Sequence, residues 1–344
     1  MNTHVAEKAA RLGQPTIPGT ITPKSWLGVP MFVGGQVTGI LSLQNVDEEN
    51  AFTKSHVRLL QTLAASMSVA LENARLWEQE NLYRKALERE FEIGREIQAG
   101  FLPVDIPNPK GWEIAATLQP AREVAGDFYD VFNLPGGTIG LVIADVCDKG
   151  LGAALFMTLF RSLLRTVANI DFYARTNAQF LESPAARIKN AISITNNYIV
   201  ETHGDTGMFA TIFFGILDPR TGLLTYLNGG HLPPCLVRPG MVQKLNGTGP
   251  AVGAMPDINY SICEAVLEPG DVLFAYTDGL TDTVNPRGDA ICEEELLPIL
   301  AGGQPLKTSL LQIQNRVQTS LAGARQYDDI TMLAIRRCRK SSGR

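Results

Sequence analysis

Between Gly126 and Met157 the chain reads GDFYDVFNLPGGTIGLVIADVCDKGLGAALFM, and the Pro-Gly-Gly at 135–137 limits what this stretch can become. FYDVFNL before it and TIGLVIA after it are rich in aromatic and β-branched residues, so they read as two strands joined by a tight turn. With those three residues as the loop, Leu134 faces Thr138 and the numbers of every facing pair sum to 272. Asp127 then stands opposite Asp145, with both carboxylates on one face and their Cβ atoms about 4.5–5.5 Å apart. Two like charges so placed destabilise a hairpin unless something compensates them, and a divalent cation that favours oxygen ligands does so. A slip of one residue would spoil the pairing, so the register is an expectation that a structure can test.

The chain of 344 residues has room for one large or two to three ordinary domains. Its 45% hydrophobic and 19% charged residues can bury a substantial core. A net charge of −5 carries no basic footprint and argues against non-specific nucleic-acid binding. The five cysteines (147, 235, 263, 292, 338) are scattered, with no CxxC, which fits a reducing, cytoplasmic compartment. No apolar run reaches the ~20 residues of a membrane span, and the N-terminus lacks the apolar core of a signal peptide. The expectation is a soluble cytoplasmic protein with no nucleic-acid or membrane partner.

From Trp26, WLGVPMFVGGQVTGILSLQN reads as a hairpin turning at Gly34-Gly35. A helix follows from near Thr53 to about Phe101. Its Leu60, Leu63, Met67, Ala70, Ala74 and Trp77 recur at spacings 3-4-3-4-3, a coiled-coil seam that loosens around Asn81 to Arg84 and has Gly94 as its weak point. Such a stripe either packs on its own domain or pairs with a second copy. The length of the helix without interior proline favours a homodimer through this linker. The hairpin and early helix resemble the C-terminal half of a GAF domain, a small-molecule sensor module. The resemblance implies a partial sensor whose usual early strands are missing before Trp26, and a truncated sequence.

PVDIPNP at 103–109 punctuates a boundary. The domains expected are 1–75 (partial GAF-like), 76–110 (helical linker) and 111–338. The third opens with the strand GWEIAATLQP and the aspartate hairpin, then, after the break at 149–152, a helix from Ala153 and another capped by Ser183-Pro184. MFATIFFGIL, GLLTYLNGG, CLVRP, VQKLN, YSICEAVL and DVLFAYTD read as strands. Two helices, CEEELLPILA and LKTSLLQIQNRVQTSLAG, precede a last strand, ITMLAIRR, and a basic tail. Antiparallel strands in runs with helices in blocks indicate α+β, an antiparallel β-sandwich flanked by helices.

Asp278 and Asp329 also lie where an apolar strand meets a polar loop. With Asp127 and Asp145 they form an oxygen-only donor set, without a Cys or His cluster, which favours Mg²⁺ or Mn²⁺. Asp130 falls on the opposite hairpin face and is a lesser candidate. Cys147 reads as a buried core cysteine. There is no DxDx[TV] and no Walker A loop, which counts against aspartyl-phosphate phosphatases and P-loop enzymes.

REIQAGFLP, AREVAGDFYDVF, IADVCDKGLGAALFM, FATIFFGILD, LNGGHLPP, AYTDGLTD and YDDITML, in this order over roughly 95–337, resemble the metal-dependent (PPM-type) serine/threonine phosphatases of the stage-II-sporulation-E-like branch. The resemblance implies two Mn²⁺ or Mg²⁺ ions held by Asp127, Asp145, the Val146 carbonyl, Asp278 and Asp329, with Asp145 bridging. Such ions acidify water for in-line hydrolysis of phosphoserine or phosphothreonine without a phosphoenzyme. It also implies a regulatory phosphoprotein as substrate, an anti-sigma-factor antagonist in a partner-switching pathway. His231 in NGGHLPP reads either as a proton donor or as a residue fixing its loop. Arg122 reads either as a phosphate clamp or as a surface arginine. Asp148, where the family often has glycine, departs from the pattern and reads as a loop residue. Two other classes stay open on the residues alone: a non-catalytic dimeric binding module on the same fold, and a two-metal nucleotidyl cyclase. The retained aspartates count against the first, and the missing basic cluster near the hairpin counts against the second.

Overall fold

The computed structural model describes residues 3–13, 21–170, 183–285, 290–323 and 326–339. It comprises two units, Met1–Arg89 and Glu90–Arg344, with the division inside a single long helix. The first unit holds a short helix α1 (Val5–Arg11) and the hairpin β1 (Ser25–Val33) and β2 (Gln36–Asn45), turning at Gly34-Gly35 as the sequence predicts. Helix α2 (Lys54–Ala99) starts at Thr53, whose hydroxyl accepts the His56 N–H at 3.4 Å while His56 Nδ1 accepts the Thr53 N–H at 3.3 Å. Leu60 and Ala64 of α2 are buried against Val29 and Met31 of β1, and Ser68 continues the same i, i+4 face. Leu63, Met67 and Trp77 of the heptad seam are exposed.

The second unit is a four-layer α–β–β–α sandwich. The remaining elements are β3 (Trp112–Gln119), β4 (Phe128–Leu134), β5 (Thr138–Val146), α3 (Leu151–Asn169), α4 (Pro184–His203), β6 (Ala210–Leu217), β7 (Leu223–Gly229), β8 (Cys235–Arg238), β9 (Met241–Lys244), β10 (Cys263–Val266), β11 (Val272–Tyr276), α5 (Glu293–Ala301), α6 (Leu306–Leu321) and β12 (Ile330–Arg337). One antiparallel sheet runs β10-β7-β6-β5-β4 and the other β3-β12-β11-β8-β9. This is the α+β sandwich expected from the strand and helix order. Residues 340–344 of the basic tail lie outside the described residues.

Alternation along each strand builds the layers. On β4 and β5, Phe128, Phe132, Val142 and Ala144 face α3 and α4, while Val131, Leu141 and Ile143 face the second sheet. Helices α5 and α6 cover that sheet's outer face. Helix α3 is long and apolar enough by composition to cross a membrane, alone among the described residues, and its apolar face packs in the helix–sheet core. Ser183 caps α4 by accepting the Ala186 N–H at 3.2 Å, with Pro184 as the first helical residue.

Candidate active site

The β4–β5 turn is a single 3₁₀ turn at Pro135–Gly137, with Gly136 and Gly137 at φ 84° and 77°. The ladder runs from Leu134↔Thr138 to Phe128↔Ala144, the register expected from the sequence. One step further, Asp127 meets Asp145, and the two carboxyls share a hydrogen bond. By the same alternation both point into the space between the sheets, at its open end.

From the other sheet, the Thr277 hydroxyl at the end of β11 and the Thr331 hydroxyl on β12 each donate to Asp127 Oδ2 at 2.7 Å. Asp127 is therefore clamped across the sandwich. Burial and the charges of Asp145 and Asp329 raise its pKa well above the usual carboxylate range. Asp145 is pushed up to about 7, first by burial and then by Asp278, Asp328 and Asp329. Asp278, in the 3₁₀ turn after β11, is raised by burial and by Asp328 and Asp282. These carboxylates repel one another in a semi-buried pocket, the electrostatic condition that a divalent cation relieves.

Asp329 is held differently. Its Oδ1 accepts the Ala121 N–H and its Oδ2 the Gly126 N–H, both at 2.7 Å. Its side chain thus ties the loop before β4 to the start of β12. The neighbouring Asp328, which the sequence reading passes over, acts electrostatically on both Asp145 and Asp278 and pairs with Lys149 at 2.6 Å. Both members of the Asp328–Asp329 pair act on Asp145, Asp329 also on Asp127 and Asp328 also on Asp278.

The Val146 carbonyl backs onto Gly126: a Cβ there would lie 3.1 Å from that oxygen and 3.2 Å from the Ala153 Cβ. A Cβ on Gly279 would overlap the Asp329 carbonyl at 2.0 Å. Both glycines let backbone approach the pocket. Asp148 has φ 70°, a left-handed conformation that glycine adopts freely and Asp tolerates, so its departure from the family glycine keeps the loop shape. Among the described residues no three acidic, His or Cys side chains form a ready-made cage around one point. Asp127 is engaged with threonine hydroxyls, Asp329 with backbone N–H groups and Asp328 with Lys149. The all-oxygen, mutually repelling donor set nevertheless fits hard divalent cations.

Asp130 lies on the helix-facing side of β4, fully buried, and pairs with Arg161 at 3.2 Å and Arg165 at 2.9 Å on α3. It is separated from the pocket by the sheet itself. Cys147 is half-buried rather than a core residue, and its Sγ accepts the Phe209 N–H at 3.2 Å. Arg122 is exposed and lines a cleft of ≈ 440 Å³ with Glu123, Lys149, Gln326 and Tyr327.

His231 is buried, with Nδ1 2.9 Å from the Thr211 hydroxyl and its own N–H donated to Asn228 Oδ1 at 2.9 Å. Burial lowers its pKa from 6.5 to about 4, so it is neutral at pH 7 and fixes its loop. Between those values the folded protein binds fewer protons than the unfolded chain. Its contribution to stability is full above pH 6.5 and is lost as the pH falls towards 4. Denaturant titrations across this window are expected to show wild type losing up to about 3 kcal/mol more than His231→Gln. Parallel losses in the two proteins would show that His231 titrates normally.

The model of the family described as Stage II sporulation protein E (SpoIIE) matches residues 135–338, more than half of the chain. The chain belongs to the SpoIIE family. A GAF domain model matches residues 2–72, starting ahead of the Trp26 at which the sequence reading begins the module. Among curated relatives of this SpoIIE-family chain, Protein IcfG of Synechocystis sp. (strain ATCC 27184 / PCC 6803 / Kazusa) is 40% identical over 262 residues, which is 72% of this chain and 41% of IcfG. Phosphoserine phosphatase RsbU of Bacillus subtilis (strain 168) is 25% identical over 258 residues, 74% of this chain and 72% of RsbU. The chain therefore spans less than half of the first relative and about three-quarters of the second. In fold it is similar to the SiaA-PP2C domain of Pseudomonas aeruginosa, with a TM-score of 0.60 and 20% identity, covering 74% of this chain and 98% of that one.

Proposed function

We propose that this SpoIIE-family chain is a metal-dependent protein phosphatase that removes phosphate from phosphoserine or phosphothreonine on a regulatory protein. The observation that carries this reading is the convergence of Asp127 and Asp145 from one sheet with Asp278 and Asp328 from the other, beside the cleft that holds Arg122 and Lys149. The name of the relative RsbU, a phosphoserine phosphatase, supports the substrate class.

In this reading Asp145, Asp278, Asp328 and the Val146 carbonyl hold two Mn²⁺ or Mg²⁺ ions, and Asp329 holds the loop that closes the pocket. Bound there, the ions supply Lewis acidity that activates water and neutralises charge during in-line attack at phosphorus. Asp127, fixed by Thr277 and Thr331, orients Asp145. Arg122 meets the phosphate oxygens in the cleft. In this reading His231, buried and neutral, keeps the 228–231 loop in place and donates no proton to the leaving group.

The resemblance supports an anti-sigma-factor antagonist as the phosphoprotein, the cytoplasm as the compartment, and a GAF-borne sensor upstream. The exposed Leu63, Met67 and Trp77 support homodimerisation through α2. The test is phosphate release from a phosphoserine peptide and from p-nitrophenyl phosphate, with Mn²⁺, with Mg²⁺ and after chelation. Sedimentation on the same sample reads the oligomeric state. Turnover that needs the ion and stops on chelation is expected. Turnover that persists after chelation, or an absence of Mn²⁺ binding, would sink the reading.

A further inference from the structure

We propose that Lys149 is a built-in counter-cation of the acidic pocket: its ammonium competes with a divalent cation for the Asp328 carboxylate and, once displaced, serves the phosphate cleft beside Arg122. This rests on the reading of the pocket as a metal site. The Lys149 Nζ is held on three sides. It lies 2.6 Å from Asp328 Oδ2, donates to the Tyr327 carbonyl at 3.0 Å, and sits 3.9 Å above the centroid of the Tyr327 ring. Its backbone is aimed as well. Asp148 and Gly150 on either side have φ 70° and 88°, and Asp148 Oδ1 accepts the Lys149 N–H at 2.8 Å.

The geometry gives the ammonium two neighbourhoods within reach of one flexible stem. One is the carboxylate that acts on Asp145 and Asp278. The other is the ≈ 440 Å³ cleft that Lys149 lines with Arg122, Glu123, Gln326 and Tyr327. Lysine suits this double use because its charge is compact and its four-carbon stem rotates, whereas the planar arginine fork would be committed to one geometry. Both partners are 27% exposed, so the pair is weak enough to yield to a doubly charged ion. A cation entering between Asp145, Asp278 and Asp328 repels the ammonium. The nearest place for it to go is the cleft, where a phosphate dianion and Arg122 await it.

Charge is then conserved at the site. The carboxylate keeps a positive partner before and after the ion arrives, and the phosphate-binding cation becomes available only when the ion is in place. Binding of the metal and binding of the phosphorylated substrate would in this way be ordered by one side chain.

The test uses the full chain and Mn²⁺ alone as the first probe, with affinity read from electron paramagnetic resonance of the free ion. Lys149→Met and Lys149→Gln, which remove the charge, are expected to bind Mn²⁺ about 5-fold more tightly than wild type, while Lys149→Arg stays within about twofold. In the same neutral variants KM for a phosphoserine peptide at saturating Mn²⁺ is expected to rise by about 5-fold or more. Unchanged or weaker Mn²⁺ binding in both neutral variants overturns the competition, and an unchanged KM overturns the second role. Asp145→Asn separates this proposal from the reading beneath it. If that variant binds Mn²⁺ like wild type, the pocket is no metal site. If it loses Mn²⁺ while the Lys149 variants match wild type, only the role of Lys149 falls.

Discussion

Asp145→Asn is expected to reduce Mn²⁺-dependent phosphate release from a phosphoserine peptide by a factor of about 10³ or more, some 4 kcal/mol of lost transition-state stabilisation. The substitution is nearly isosteric but removes the charge on which Asp127, Asp278, Asp328 and Asp329 all bear. The same variant is expected to gain stability once metal is chelated. Burial and neighbouring charges push Asp145 up to about 7, so the folded protein binds more protons than the unfolded chain between about 4 and 7. Its contribution to stability is present at low pH and is lost as the pH rises through 7. In chelator, Asp145→Asn is therefore expected to melt above wild type at pH 8, with the gap closing towards pH 5. A variant that kept wild-type turnover would falsify the two-ion reading, and one that melted lower at pH 8 would refute the electrostatic account of the pocket. The pattern joins cost and function, because the residues most costly to the fold are those the chemistry needs.

The largest effect on stability is expected at Asp130, which contributes nothing to the pocket. Asp130→Ala leaves Arg161, itself only 10% exposed and with its Nε unpartnered, without the carboxylate that neutralises it. Removing one member of a buried ion pair typically costs about 3–5 kcal/mol. Part of this is expected to return in Asp130→Ala/Arg161→Met, which removes the orphaned charge as well. Urea unfolding of the two variants beside wild type decides the matter. A single variant as stable as wild type would show that the Asp130–Arg161–Arg165 cluster does not hold α3 to β4.

The hairpin register was readable because Pro135-Gly136-Gly137 leaves few turns to choose from, and two-residue periodicity carries the pairing to Asp127 and Asp145. The same periodicity set Asp130 on the other face, yet nothing local announced its partners, which lie more than thirty residues on at Arg161 and Arg165. How Asp328 and Asp329 divide their contacts was not readable. Where loop becomes strand, periodicity has no fixed phase, and it is the distant N–H groups of Ala121 and Gly126 that hold the Asp329 carboxylate. Helix α2 posed a similar ambiguity. Leu60 belongs both to the heptad seam and to the i, i+4 row with Ala64 and Ser68, and the sequence cannot say which row packs on β1.

β12 is the last strand among the described residues, yet it is placed inside its sheet, between β3 and β11, and its Thr331 reaches back to Asp127. Synthesis is vectorial, so the residues of the Asp127–Asp145 hairpin leave the ribosome long before Asp328 or Thr331. A chain made only that far lacks the far wall of the pocket. The strand order thus makes the pocket the product of a late, long-range pairing: a chain without β12 would hold Asp127 and Asp145 but not the Thr331 hydroxyl or the tie that Asp329 makes to Ala121 and Gly126.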